Sequence, residues 1–127
     1  MSPNPIMTPS IDLAKACAQA AYNIQAEDIK VIDLRGISNL TDFLVICSGT
    51  SMPHLKAIMR DIELEIIDKR EERPHYSEGK ADSRWVVLDY IDVMIHIMHE
   101  EMRDLYNLED LWGDGKTLEI DFEGAEA

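Results

Sequence analysis

The stretch "WVVLDYIDVMIHIMHEEMRDLYNLEDLW", Trp85 to Trp112, concentrates the side chains of this 127-residue chain that could do chemistry. Asp89 and Asp92 are three apart, and two carboxylates that converge can hold a divalent cation or serve as an acid and base pair. Asp is equally suited to flanking a tight turn, where it meets solvent and its own backbone. His96 and His99 are also three apart. A strand sends residues at odd separations to opposite faces, so these two share a zinc ion only if a helix begins before His96. "SGTS", residues 48–51, lies between an apolar run and a helical pattern, where backbone N–H groups and a helix dipole could hold a phosphate. It lacks the lysine of a P-loop and the glycine spacing of a dinucleotide fingerprint. Cys17 and Cys47 have no CxxC partner and read as two buried thiols. There is no GxSxG elbow and neither cysteine has a histidine nearby in sequence, so hydrolase chemistry has little support, and no metal or cofactor is expected.

The elements that would position these residues follow from periodicity. Ser10 can cap a helix running to about Gln25, with Leu13, Cys17, Ala21 and Ile24 at helical spacing. "DIKVIDLRG" and "DFLVICSG" read as strands, each closed by a glycine. Residues 50–71 predict a helix capped by Thr50 or Ser51, with Pro53 in the first turn and a buried stripe of Leu55, Met59, Ile62 and Ile66. "RPHYSEGKADS" is a polar loop. "RWVVLDY" and "DVMIHIM" then read as two strands joined at Tyr90 and Ile91, a turn that places Asp89 opposite Asp92, Val87 opposite Met94 and Trp85 opposite His96. "HEEMRDLYNLEDLW" reads as a helix that turns Met102, Leu105, Tyr106 and Leu108 inward.

Alternation sorts the hairpin into two faces. Val86, Leu88, Val93, Ile95 and Ile97 form a wholly apolar one, which must be core. Trp85, Val87, Asp89, Asp92, Met94, His96 and Met98 share the other. A large aromatic, adaptable methionines and a few acids make a protein-binding patch, unless a helix of the same chain covers it.

The chain is long enough for one domain with a proper core. We expect a proline-rich lead-in over residues 1–9 that carries no targeting signal, a single domain over 10–113, and a flexible acidic tail over 114–127. No apolar run approaches the roughly 20 residues of a membrane-spanning helix. Twelve Lys and Arg against 25 Asp and Glu give a net charge of −13, which argues against binding DNA or RNA; it suits a basic protein partner, although charge alone is explained as well or better by solubility.

"DIKVIDLRGISNLTDFLVICSGTSMPHLKAI", then "EG", then the Trp85–Trp112 stretch resemble the Iojap family, the ribosomal silencing factors, from about Ala26 to Trp112. The resemblance implies an α/β fold, a mixed sheet flanked by helices of the nucleotidyltransferase-like type without the catalytic site. That family's catalytic relatives alternate two carboxylates on one strand, whereas "DYID" separates them by three. The resemblance further implies a non-enzymatic role: binding the large ribosomal subunit through its ribosomal protein fourteen, blocking the small subunit and repressing translation, in a bacterial cytoplasm and often as a homodimer. Carried over by position, the partner surface is Trp85, Asp89, Tyr90, Asp92, Met94 and His96. Tyr106, Glu109 and Trp112 match the C-terminal block, with packing onto the sheet as their expected role. Residual nucleotide binding near Gly49, Ser51, Asp89 and Asp92 is the alternative. One departure stands out: the family usually has "DYGD" in the hairpin, and this chain has Ile91. A β-branched residue resists positive φ, so a longer or differently shaped turn is expected.

Overall fold

The computed structural model describes residues 10–79, 84–111 and 113–124. The elements run α1 (Ser10–Asn23), β1 (Glu27–Asp33), β2 (Phe43–Gly49), α2 (Met52–Arg70), β3 (Tyr76–Glu78), β4 (Trp85–Asp89), β5 (Val93–His99), α3 (Glu100–Tyr106), α4 (Leu108–Leu111) and β6 (Lys116–Leu118). The six strands form one mixed sheet in the order β3-β4-β5-β2-β1-β6. Its central pair, β2 and β5, is parallel, and the remaining neighbours are antiparallel. A parallel pair needs a crossover, and α2 supplies the helical part of it. Ser51 caps α2 by accepting the His54 N–H, Pro53 occupies the first turn, and Glu71 closes the helix in the left-handed conformation.

Helices α1 and α2 cover one face of the sheet. Leu13, Cys17 and Ala21 of α1 and Leu55, Ile58, Ile62 and Ile66 of α2 pack there against Val31, Phe43, Val45, Val86, Leu88, Val93, Ile95 and Ile97. The buried stripe of α2 thus includes Ile58 in place of the expected Met59, which is only partly buried. β2, flanked by strands on both sides and covered on both faces, is buried along its whole length.

Three expectations, two from composition and one from helical spacing, need correction. The polar loop before the hairpin contains β3, an exposed edge strand held by backbone bonds to β4. The acidic segment after residue 113 is no free tail over its described part: β6 pairs with β1, Ile120 and Phe122 pack on the core, the Phe122 ring stacks on Tyr22 at 4.6 Å, and Gln19 bonds both the N–H and the carbonyl of Glu123. Leu105 points to solvent, 71% exposed, rather than inward. The lead-in 1–9, residues 125–127 and Trp112 lie outside the described residues.

Candidate functional site

The hairpin β4–β5 turns at Ile91 and Asp92, one residue later than expected, because the Tyr90 N–H bonds the Val93 carbonyl. Each β4 residue therefore faces a β5 residue two positions further on than the sequence suggests: Trp85 opposes Met98, Val87 opposes His96 and Asp89 opposes Met94. A shift of two leaves every side chain on its expected face. The turn keeps two residues, and Ile91 adopts φ 74. Asp89 Oδ1 accepts the Ile91 N–H at 2.7 Å, which braces the turn and leaves Asp92 exposed beyond it.

Across the second face of the sheet the register builds continuous rows. Glu78, Val87, His96, Ile46 and Lys30 make one, and Tyr76, Asp89, Met94, Leu44 and Ile32 the next, nearer the turn. Their floor is a small apolar cluster of Ile32, Leu34, Leu44, Ile46 and Met98, with Trp85, Met94 and Met102 partly buried against it. Helix α3 covers the Met98 end through Met102, so Met98 is buried, while Trp85, Val87, Asp89, Met94 and His96 remain half-buried. Tyr90 departs from the expected surface. Its ring is packed into the opposite core at 6% exposure, and it cannot touch a partner on this face.

Trp85 and His96 act as a unit. The Trp85 Nε1–H donates to His96 Nδ1 at 2.8 Å, with the rings tilted 55° and 5.7 Å apart. An acceptor at Nδ1 requires the proton of the neutral ring to sit on Nε2. Burial pushes the His96 pKa down to about 4, so the ring is neutral at pH 7 and the indole has a fixed acceptor. His99 lies on the other side of the strand and caps α3, its Nδ1 accepting the Glu101 N–H.

The residues proposed for other chemistry are committed elsewhere. In the turn at 48–51, the Thr50 N–H bonds His54 Nδ1 and the His54 N–H bonds Ser51 Oγ, so these donors serve the helix start rather than a phosphate. A Cβ on Gly49 would lie 2.6 Å from Leu55 Cδ2; the glycine is there to let α2 approach the sheet. Asp89 and Asp92 bracket the turn rather than oppose each other. Cys17 and Cys47 are buried, and burial raises both thiols, Cys47 to about 12. A thiol that resists ionisation is a poor nucleophile.

Sequence reasoning missed a charged cluster beside this face. Arg103, 5% exposed, donates to Ser48 Oγ at 3.0 Å, to the Asp28 carbonyl and to Glu109 Oε1 at 3.0 Å. Lys30 meets the other oxygen of Glu109 at 2.7 Å, and together Arg103 and Lys30 hold that carboxyl below its usual range. Glu109 thus pins the C-terminal segment to the sheet, the packing role expected of it. The side chains of Tyr106 and Trp112 lie outside the described residues. A helical arginine reads as a solvated residue, and only its missing exposed face could have marked it.

The model of the family described as "Ribosomal silencing factor during starvation" matches residues 7–127. The chain belongs to the ribosomal silencing factor family. It is 38% identical over 110 residues to the ribosomal silencing factor RsfS of Bacillus subtilis, covering 87% of this chain and 92% of that protein. It is 37% identical to the mouse mitochondrial assembly of ribosomal large subunit protein 1, over 68% of this chain and 39% of that longer protein. The crystal structure of protein CV0518 from Chromobacterium violaceum superposes with a TM-score of 0.78 at 26% identity, covering 94% and 98% of the two chains. The names of the silencing factors describe a regulatory, non-enzymatic role, and the family match extends through the β6 strap.

Proposed function

We propose that this chain silences ribosomes sterically: it binds the large subunit through ribosomal protein fourteen, in a bacterial cytoplasm, and so blocks the small subunit and represses translation. The observation that carries this reading is the half-open face of the hairpin. Trp85 and Met94 stand half-buried over an apolar floor, with Asp89 and Asp92 at the rim of a chain of net charge −13. Such a face suits a basic protein. Trp85 and Met94 bury apolar area on it, while the acids meet its lysines and arginines and speed the encounter. The Nδ1 of His96 fixes the indole, which reduces the conformational freedom lost on binding. The mouse relative's name ties that protein to assembly of the ribosomal large subunit, which supports the large subunit as the particle engaged here. In the absence of ribosomes the face offers a second copy of the chain a surface to pair on, the homodimer implied by the family resemblance.

The test is sedimentation of purified large and small subunits with and without the protein at fixed salt and magnesium. The protein is expected to travel with the large subunit and to reduce the joined ribosome. Protein left at the top of the gradient, with joining unchanged, would refute the proposal.

A further inference from the structure

Of the six large hydrophobic side chains that stand exposed among the described residues, three belong to the two loops tied together at the hairpin turn: Leu40 is 76% exposed, Ile91 57% and Ile37 48%. They sit on ordered backbone at one end of the sheet. Ile37 and Ser38 both donate to the Leu34 carbonyl, and Leu40 N–H bonds Ser38 Oγ. The Asp42 and Phe43 N–H groups both bond the Asp92 carbonyl, which ties this loop to the hairpin turn. Ile91 carries a second, independent sign. Its φ of 74 lies where a β-branched residue is disfavoured and glycine is free. The Asp92 N–H closes back onto the Tyr90 carbonyl across it, the hydrogen-bond pattern of a three-residue turn that strains an L side chain. Glycine would serve that backbone better, and the exposed side chain returns nothing to the fold. Backbone strain kept at an exposed apolar residue points to a role in a contact outside the fold.

We infer that Ile91, with Leu40 and Ile37, forms an apolar ledge that continues the hairpin face past Met94 and seats in an apolar cleft of the same basic partner. The inference rests on the reading in the previous subsection and deepens it. Continuity supports it: Met94 and Leu44 pair in the rows next to the turn, and Asp89 holds the Ile91 N–H. So does charge, because the ledge is flanked by Asp89 and the exposed Asp92, which call for lysine or arginine at the edge of the cleft.

The test measures thermal unfolding, self-association by analytical ultracentrifugation and affinity for isolated large subunits in wild type, Trp85→Ala, Ile91→Gly and Leu40→Ser. For Ile91→Gly a folding role and a contact role have opposite signs. We expect a Tm equal to or above wild type, because the strained residue is gone, with about tenfold weaker binding, because an apolar side chain is lost from the contact. Leu40→Ser should weaken binding similarly at unchanged Tm. If Ile91→Gly loses both Tm and affinity, Leu40→Ser decides between the two roles. Wild-type affinity in both ledge variants, with loss in Trp85→Ala, overturns the ledge and leaves the silencing reading standing. Reduced self-association at unchanged subunit affinity makes a second copy the occupant and overturns it too. A wild type that binds no large subunit overturns both readings.

Discussion

Lowering the pH from 7.5 to 5 should destabilise this protein through His96. An imidazole in the unfolded chain titrates near 6.5, and burial holds His96 down to about 4 in the folded protein. As the pH falls, the unfolded state takes up the proton first. The stability contributed by the neutral ring is therefore complete above about pH 6.5 and is lost progressively towards pH 4, below which both states are charged. The interval from 6.5 to about 4 corresponds to about 3 kcal/mol, of which about 2 kcal/mol is gone at pH 5. For a chain of this length that is a fall in Tm of about 7 °C. Protonation at Nδ1 also sets an N–H against the Trp85 indole N–H, so the anchor of the face loses its acceptor. The assay is urea unfolding at several pH values for wild type and His96→Gln. The amide oxygen of glutamine accepts from the indole and does not titrate, and contributions from carboxylates cancel in the difference. Parallel loss of stability in the two proteins would mean that His96 is not the group whose protonation destabilises the fold.

Two further substitutions probe the supports of the face. Gly49→Ala should lower Tm by about 4–11 °C, the equivalent of about 1–3 kcal/mol of overpacking against Leu55, whereas a phosphate-binding glycine would leave Tm unchanged. Arg103→Met keeps the apolar stem but removes the donors to Ser48, Asp28 and Glu109, and urea unfolding should show a loss of about 3 kcal/mol. In the same variant the Glu109 carboxyl should titrate higher, since the Arg103 bond is the leading cause of its lowering. A loss within about 0.5 kcal/mol would make the cluster incidental to the fold.

Periodicity carried the parts of this fold whose residues are buried on one side. The helices that begin at Ser10 and after Ser51 were legible because apolar residues recur at the period of the element, and the strands "KVID" and "FLVICSG", which have buried residues on both faces, were legible as short β-branched runs closed by a glycine. The hairpin faces were legible even though the register was not. Alternation has period two, and the true turn at Ile91–Asp92 displaces each pairing by two, so Trp85 and Met94 keep their side while losing their expected partners. The turn itself depended on Ile91 accepting a positive φ, which its type argues against. β3 and β6 were missed for a different reason. They are three-residue edge strands, mostly exposed, whose pairing is made by backbone groups that leave no pattern in polar sequence. Leu105 and Arg103 exchange the roles their types suggest. In a seven-residue helix the buried face is one or two positions wide, and the site at Ser48, Asp28 and Glu109 turns Arg103 inward. Tyr90 was placed on the face by position in the family block, although its parity with Leu88 puts it in the core.

The most direct test of the account is the affinity of Trp85→Ala for isolated large subunits, measured by co-sedimentation beside wild type, with the circular dichroism of both proteins recorded first. Trp85 is half-buried, so the variant should remain folded and lose binding by at least about tenfold. Wild-type affinity in a folded Trp85→Ala protein would contradict the claim that the outer face of the hairpin is the surface this protein uses.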